Sequence, residues 1–174
     1  MAISTAASNK ALVLEAFDAL FNKRDYARAE RHWSPNYIQH SAHIAPGRDG
    51  LFNLVKSLPP TLKYEPGAIV AEGDLVIVHG RFSGFGSPAN WIAADILRIE
   101  DGIFVEHWDV IQDEATRKQS KSGNPMFGES FPNIGPGLSR SFLLYCFNPL
   151  AADIGDEWTR TPGSWKEGAR ESSR

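Results

Sequence analysis

Leu12, Val13, Ala16, Phe17, Leu20 and Phe21 recur three and four residues apart, which lays one apolar stripe along a helix, with Ser8 or Asn9 placed to cap its start. A second, shorter helix is predicted from an Asp25 cap to about Trp33, on the spacing of Tyr26, Ala29 and Trp33. Pro35 then breaks the helical period, so residues 34–40 read as a brief extended piece. A third helix over residues 48–58 turns Leu51, Leu54, Val55 and Leu58 to one face and stops at Pro59-Pro60.

After Pro60 the period shortens. Residues 62–72, 75–83, 90–100 and 103–112 are rich in β-branched and aromatic side chains. Between them lie turn residues: Glu72-Gly73-Asp74, a loop holding Gly86 and Pro88, and Glu100-Asp101-Gly102. Helices followed by short-linked hairpins predict an α+β domain, three N-terminal helices packed on a strongly curved antiparallel sheet. Past Asp113 the pattern fades: from Ser120 to Arg174 there are 7 Gly and 5 Pro and one compact apolar run, residues 142–147, so this stretch is expected to be mostly irregular.

Composition narrows the classes of function. A 174-residue chain with 42% hydrophobic and 22% charged residues supports one core. A net charge of -3 gives no broad positive field, so nucleic acid is not an expected partner. The single cysteine, Cys146, cannot close an intramolecular disulfide, and no Cys/His ligand spacing of the zinc type occurs, so no metal is expected and a reducing compartment fits. Neither a basic-then-apolar leader nor an apolar run of membrane length is found, and the expectation is a cytoplasmic protein without membrane contact.

A curved sheet facing helices encloses a cone, and chemistry is sought among titratable side chains on its concave face. Trp91, Ala93, Asp95, Leu97 and Ile99 share one face of their strand, and Asp95 is the only charge there. On the next strand Val105, His107, Asp109 and Ile111 alternate with Phe104, Glu106, Trp108 and Val110. Two registers stay open: a two-residue Asp101-Gly102 turn sets Asp95 opposite Trp108, and a three-residue turn with a glycine bulge sets it opposite His107. The second joins Arg98 to Glu106 on the outer face, which favours Asp95, His107 and Asp109 pointing inward.

His79 is a further candidate neighbour of Asp95, and His40 passes the open end of the cone as a base or substrate contact, while His32 and His43 are expected in solvent. Trp33, Tyr37 and Trp91 are candidate walls of a ligand pocket. Burial raises a carboxyl pKa while histidine titrates near working pH, so an inward Asp–His pair can move a proton next to a carbonyl. Asp95 would abstract that proton and His107 or His79 would steady or protonate the enolate. A dehydratase or hydrolase acting through an activated water, and a ligand-binding or protein-interaction module whose Asp and His satisfy each other, are the alternatives.

The order of helices, the His40 loop, the Pro46-Gly47-Arg48-Asp49-Gly50 helix start, then Ala94-Asp95-Ile96-Leu97-Arg98-Ile99-Glu100-Asp101-Gly102 and Val105-Glu106-His107-Trp108-Asp109-Val110 resembles the SnoaL-like polyketide cyclase family of the NTF2-like superfamily. Ile111-Gln112, followed by Gly123-Asn124-Pro125-Met126-Phe127, looks like a subgroup described as aldol-condensation enzymes. The resemblance covers residues 8–131, and residues 132–174 form an extension without counterpart in it. It implies a cone-shaped α+β barrel, a homodimer through the outer sheet face, and cyclase, isomerase or lyase chemistry on a small apolar carbonyl compound of polyketide type, with no metal or organic cofactor. It also implies Asp95 as general base, with His79 or His107 as the strand histidine nearby.

Overall fold

A computed structural model describes residues 5–132. The expected irregular extension, its apolar run and Cys146 lie outside the described residues. Helix α1 (Ala6–Phe17) is capped by Thr5 rather than by Ser8 or Asn9. The Ser8 N–H donates to Thr5 Oγ1 at 3.1 Å and the Thr5 N–H donates to Ser8 Oγ at 2.9 Å, a reciprocal arrangement that settles two donors at the helix start. The helix continues into a π turn (Asp18–Asn22), and Val13, Ala16, Phe17, Leu20 and Phe21 are all buried, as their spacing predicts. Asn22 then ties the helix to the sheet edge, accepting the Tyr64 N–H at 2.8 Å and donating to the Tyr64 carbonyl at 3.1 Å.

Helix α2 (Tyr26–Glu30) is one turn capped by Asp25, and Trp33 is not its last residue but the first of strand β1 (Trp33–Gln39). Tertiary contacts override the helical spacing here. The Phe104 N–H donates to the His32 carbonyl at 2.7 Å, and the Trp33 ring meets the edges of Phe104 at 4.8 Å and Phe52 at 5.5 Å. Helix α3 (Gly47–Ser57) stops ahead of Leu58-Pro59-Pro60. Arg24 closes its end, donating to the carbonyls of Val55 at 2.8 Å, Pro59 at 2.9 Å and Leu58 at 3.2 Å, acceptors that a helix C-terminus leaves unmet.

Strands β2 (Lys63–Glu72), β3 (Leu75–Ser83), β4 (Trp91–Glu100) and β5 (Ile103–Asp113) form successive hairpins, and the five-stranded sheet runs β1-β5-β4-β3-β2. It is curved and unclosed. The expected all-antiparallel sheet needs one correction, because β1 pairs with β5 in parallel. No hairpin joins these two strands, and the long connection through α3 and three strands frees their direction. A register shift between Pro66 and Ile69 in β2, and another between Arg98 and Ile99 in β4, bend the sheet around the helices.

The β4–β5 hairpin fits neither expected register. Glu100 pairs with Ile103 across a two-residue turn whose Asp101 and Gly102 have φ of 49° and 78°, the left-handed pair that twists with the strands. Ile99 then faces Phe104 but Arg98 faces Glu106, so β5 carries one extra residue, Val105. That bulge restores the parity the simple turn would have lost, and Asp95 pairs with Asp109. The inward set of Asp95, His107 and Asp109 therefore holds, while Arg98 and Glu106 form a 3.0 Å ion pair outside. Phe104, wholly buried, can point inward together with His107 only because of the extra residue.

Candidate functional site

Helices α1 and α3 and the concave face of the sheet enclose a cavity of about 70 Å³. Most of its wall is apolar, from Phe17 and Phe21 at one side to Leu51, Leu54 and Leu58 of the α3 segment, and among the described residues no lysine or arginine lines it. Trp33, Tyr37 and Trp91 line it, as do Asp95, His107 and Asp109. The polar groups come from β4, β5, β1 and the loop that follows β1, which adds Ser41 and His43, and the rest of the lining is apolar.

Asp95 is 4% exposed and His107 5% exposed. As diagonal neighbours across β4 and β5, they place Asp95 Oδ1 at 3.1 Å from His107 Nε2. Gln39, which pairs with His107 in the parallel ladder, sets its Oε1 at 2.9 Å from His107 Nδ1. The same Oε1 accepts the Ser41 backbone N–H at 2.9 Å, and a backbone N–H can only donate, so this atom is the amide oxygen. His107 Nδ1 therefore carries a hydrogen, and the Nε2–Oδ1 contact holds one proton between two acceptors. Either Asp95 is a neutral acid donating to imidazole, or it is a carboxylate accepting from imidazolium.

Burial pushes the Asp95 carboxyl up from its ordinary range, against the hydrogen bond and charge of His107 and with the help of Asp109. Its second oxygen, Oδ2, is buried and makes no hydrogen bond among the described residues. Burial likewise drives the Tyr37 hydroxyl far up, with Asp95 and Asp109 adding to the rise, so the phenol stays protonated. Asp95, His107 and Asp109 also bring one donor atom each within 4.8 Å of one another, a grouping able to hold a metal ion. An ion there would have to replace the proton now shared by Asp95 and His107.

Two candidate histidines lie elsewhere. His79 pairs with Ala94 while its neighbour Val78 pairs with Asp95, so alternation sends His79 to the outer face, where its ring lies 5.5 Å from Phe127. The expectation of His79 beside Asp95 is corrected by this register. His40 is also outside: its Nε2 is 2.8 Å from Glu106 Oε1 and its ring stacks on Trp108 at 4.9 Å. It follows inward Gln39 along the chain, and the period-two alternation carries it away from the cavity. His32, expected in solvent, is half-buried, and His43 is exposed at the cavity rim.

Gln39 is the residue the sequence reading missed. The alternation of buried Trp33 and Tyr37 with exposed Ile38 was a usable signal, since it continues to Gln39. The Gly123–Phe127 piece packs outside as well: Met126 Sδ accepts the Ala115 N–H at 3.2 Å and Phe127 lies under the Arg81 guanidinium at 4.8 Å. No helix among the described residues is long and apolar enough to cross a membrane.

The sequence profile of the SnoaL-like domain matches residues 13–107. Among solved structures, the chain is similar to AclR from Streptomyces galilaeus, a proposed hydroxylase, at 30% identity over 62% of this chain and 91% of that one, with a TM-score of 0.52. It is similar in fold to a proposed ketosteroid isomerase from Kribbella flavida, at 14% identity, 74% and 94% coverage and a TM-score of 0.56. An NTF2-like protein of unknown function from Cytophaga hutchinsonii aligns at 18% identity, 64% and 95% coverage and a TM-score of 0.54. No curated protein matches significantly.

Proposed function

This chain belongs to the SnoaL-like family, and from that premise we propose that it is a cofactor-independent isomerase or cyclase that moves a proton next to the carbonyl of a small apolar, polyketide-like molecule. The observation that carries the reading is the buried Asp95–His107 pair, holding one proton between them, with Asp95 Oδ2 free of hydrogen bonds beside an apolar cavity. When that proton sits on His107, Asp95 is a carboxylate whose Oδ2 can take an α-hydrogen. The imidazolium keeps Oδ1 occupied and supplies the cavity's compensating positive charge as the enolate forms. Returning the proton to a different carbon gives an isomer, and attack of the enolate on a second carbonyl of the same molecule closes a ring.

Asp109, half-buried next to Asp95, raises the basicity of the Asp95 carboxylate by repulsion. The outer face carries exposed Val70, Ile77 and Val110, which supports a homodimer joined there. The likeness to AclR, a proposed hydroxylase, favours one second reading, in which molecular oxygen captures the same carbanion. The deciding experiment incubates the chain in deuterated water with a bicyclic ketone, 1-tetralone, and follows loss of the α-proton signals by NMR. Exchange above the solvent rate that disappears in Asp95→Asn is the expected result, and exchange persisting in that variant would remove Asp95 from its role. Label from heavy oxygen gas in a product would mark the hydroxylase course.

A further inference from the structure

The wall of the cavity on β1 carries a donor that the acid–base reading does not use. Trp33 Nε1 is buried and has no hydrogen-bond partner among the described residues. An indole N–H can only donate, so what it calls for is an acceptor. Edge-on contacts with Phe104 at 83° and Phe52 at 87° fix the ring, so the N–H direction is set by packing. The Tyr37 hydroxyl is near enough for the indole to favour its ionised form against the effect of burial, although the pair falls short of hydrogen-bond geometry. Tyr37, four residues along the same strand, accepts from Gln39 Nε2 at 3.4 Å, which leaves its own O–H to donate. The buried Tyr64 hydroxyl also has no partner, but its ring packs on Gly80, and Tyr64 is not among the cavity's lining residues.

We infer that the Trp33 indole N–H and the Tyr37 hydroxyl form a subsite for the carbonyl oxygen of an uncharged, largely hydrocarbon ketone. The inference rests on the reading that this cavity takes a carbonyl compound, and it names the class. An anionic ligand is disfavoured because Asp95 and Asp109 share the cavity and, among the described residues, no lysine or arginine lines it. The apolar walls of the cavity suit a hydrocarbon frame with few oxygens. Oxygen held at β1 leaves the carbon next to the carbonyl to turn toward Asp95 on β4.

The test compares two ligands of one shape, 1-tetralone and tetralin, which differ in a single carbonyl, by titration calorimetry on the full chain. Wild type should bind the ketone more tightly. Trp33→Phe, which keeps an aromatic ring and removes the N–H, should weaken the ketone about tenfold and change tetralin by less than about twofold. Equal loss on both ligands would make the indole a mere wall, and no loss on the ketone, or no binding of either ligand by wild type, would also overturn the subsite. Should Trp33→Phe fail to fold, Tyr37→Phe and the infrared carbonyl stretch of bound 1-tetralone carry the test. That stretch should lie below its value in hexane in wild type and move back toward it in Tyr37→Phe; a stretch at the hexane value in wild type would reject the inference. Deuterium exchange is read separately: exchange absent with the ketone preference intact removes the Asp95 assignment alone.

Discussion

Strand β5 contributes one member of a histidine–carboxylate pair to each face of the sheet, and the two pairs differ in almost everything but their residue types. Inside, Asp95 and His107 meet at 3.1 Å, and one carboxylate oxygen has no hydrogen bond. Outside, Glu106 meets His40 at 2.8 Å and Arg98 at 3.0 Å, and Arg98 goes on to Asp74 at 2.7 Å. The His40 hydrogen bond and then Arg98 hold the Glu106 carboxyl below its ordinary range, whereas burial holds Asp95 above its own. A solvent-facing carboxylate held by an imidazole and a guanidinium is spent on structure. One in a dry cavity with half its oxygens free keeps a basic site in reserve.

The sharpest way to break this contrast is Asp95→Asn, which should lower exchange or turnover by about 10²–10⁴-fold while leaving the circular dichroism spectrum unchanged. A smaller but more specific loss is expected from Gln39→Leu. Without its acceptor, His107 Nδ1 no longer holds the hydrogen in place, and activity should fall about 10- to 100-fold, as for other groups that act by orienting a neighbour. Nitrogen-15 shifts of His107 should then show a changed tautomer, and unchanged shifts would leave Gln39 without that role.

Stability should separate the two faces by sign. The folded pKa of Asp95 lies above its unfolded value near 3.9, so its contribution is complete at low pH and declines as pH rises through that value toward the folded one. The folded pKa of Glu106 lies below its unfolded value, so its contribution is present above that value and fades on acidification. Relative to wild type, Asp95→Asn should gain a few degrees, about 2–5 °C in Tm, between pH 4 and pH 8. Glu106→Gln should lose up to about 2 °C at neutral pH and nothing in acid. Melting curves with parallel slopes for the two variants would contradict the contrast. The smallest effects belong to His40→Ala and His79→Ala, which should each leave exchange within about twofold of wild type, since both rings stand on the outer face.

Much of the fold was legible in residue order. The α1 stripe, the α3 stop at Pro59-Pro60 and the four hairpin strands each follow from a local period or a local turn, and all stand within a few residues of their expected bounds. Trp33 misled because a helical spacing and a strand start are both compatible with one apolar residue, and only Phe104 and Phe52 decide between them. The candidate site was half legible. Asp95, His107 and Asp109 could be placed on one face from alternation and the Arg98–Glu106 pairing, but His79 and His40 could not be excluded without the register.

By itself, then, the sequence determined what each stretch of chain prefers locally: helix, strand, turn, and which alternate residues travel together. The tertiary structure alone decided the parallel pairing that brings Gln39 to His107 and the extra residue at Val105 that lets Phe104 and His107 both face inward. It also left Trp33 Nε1 and Asp95 Oδ2 buried without partners. The physical reason is range. Periodicity and turn chemistry act over a few neighbours, whereas pairing between distant strands and the burial of single polar atoms depend on how the packed core is filled.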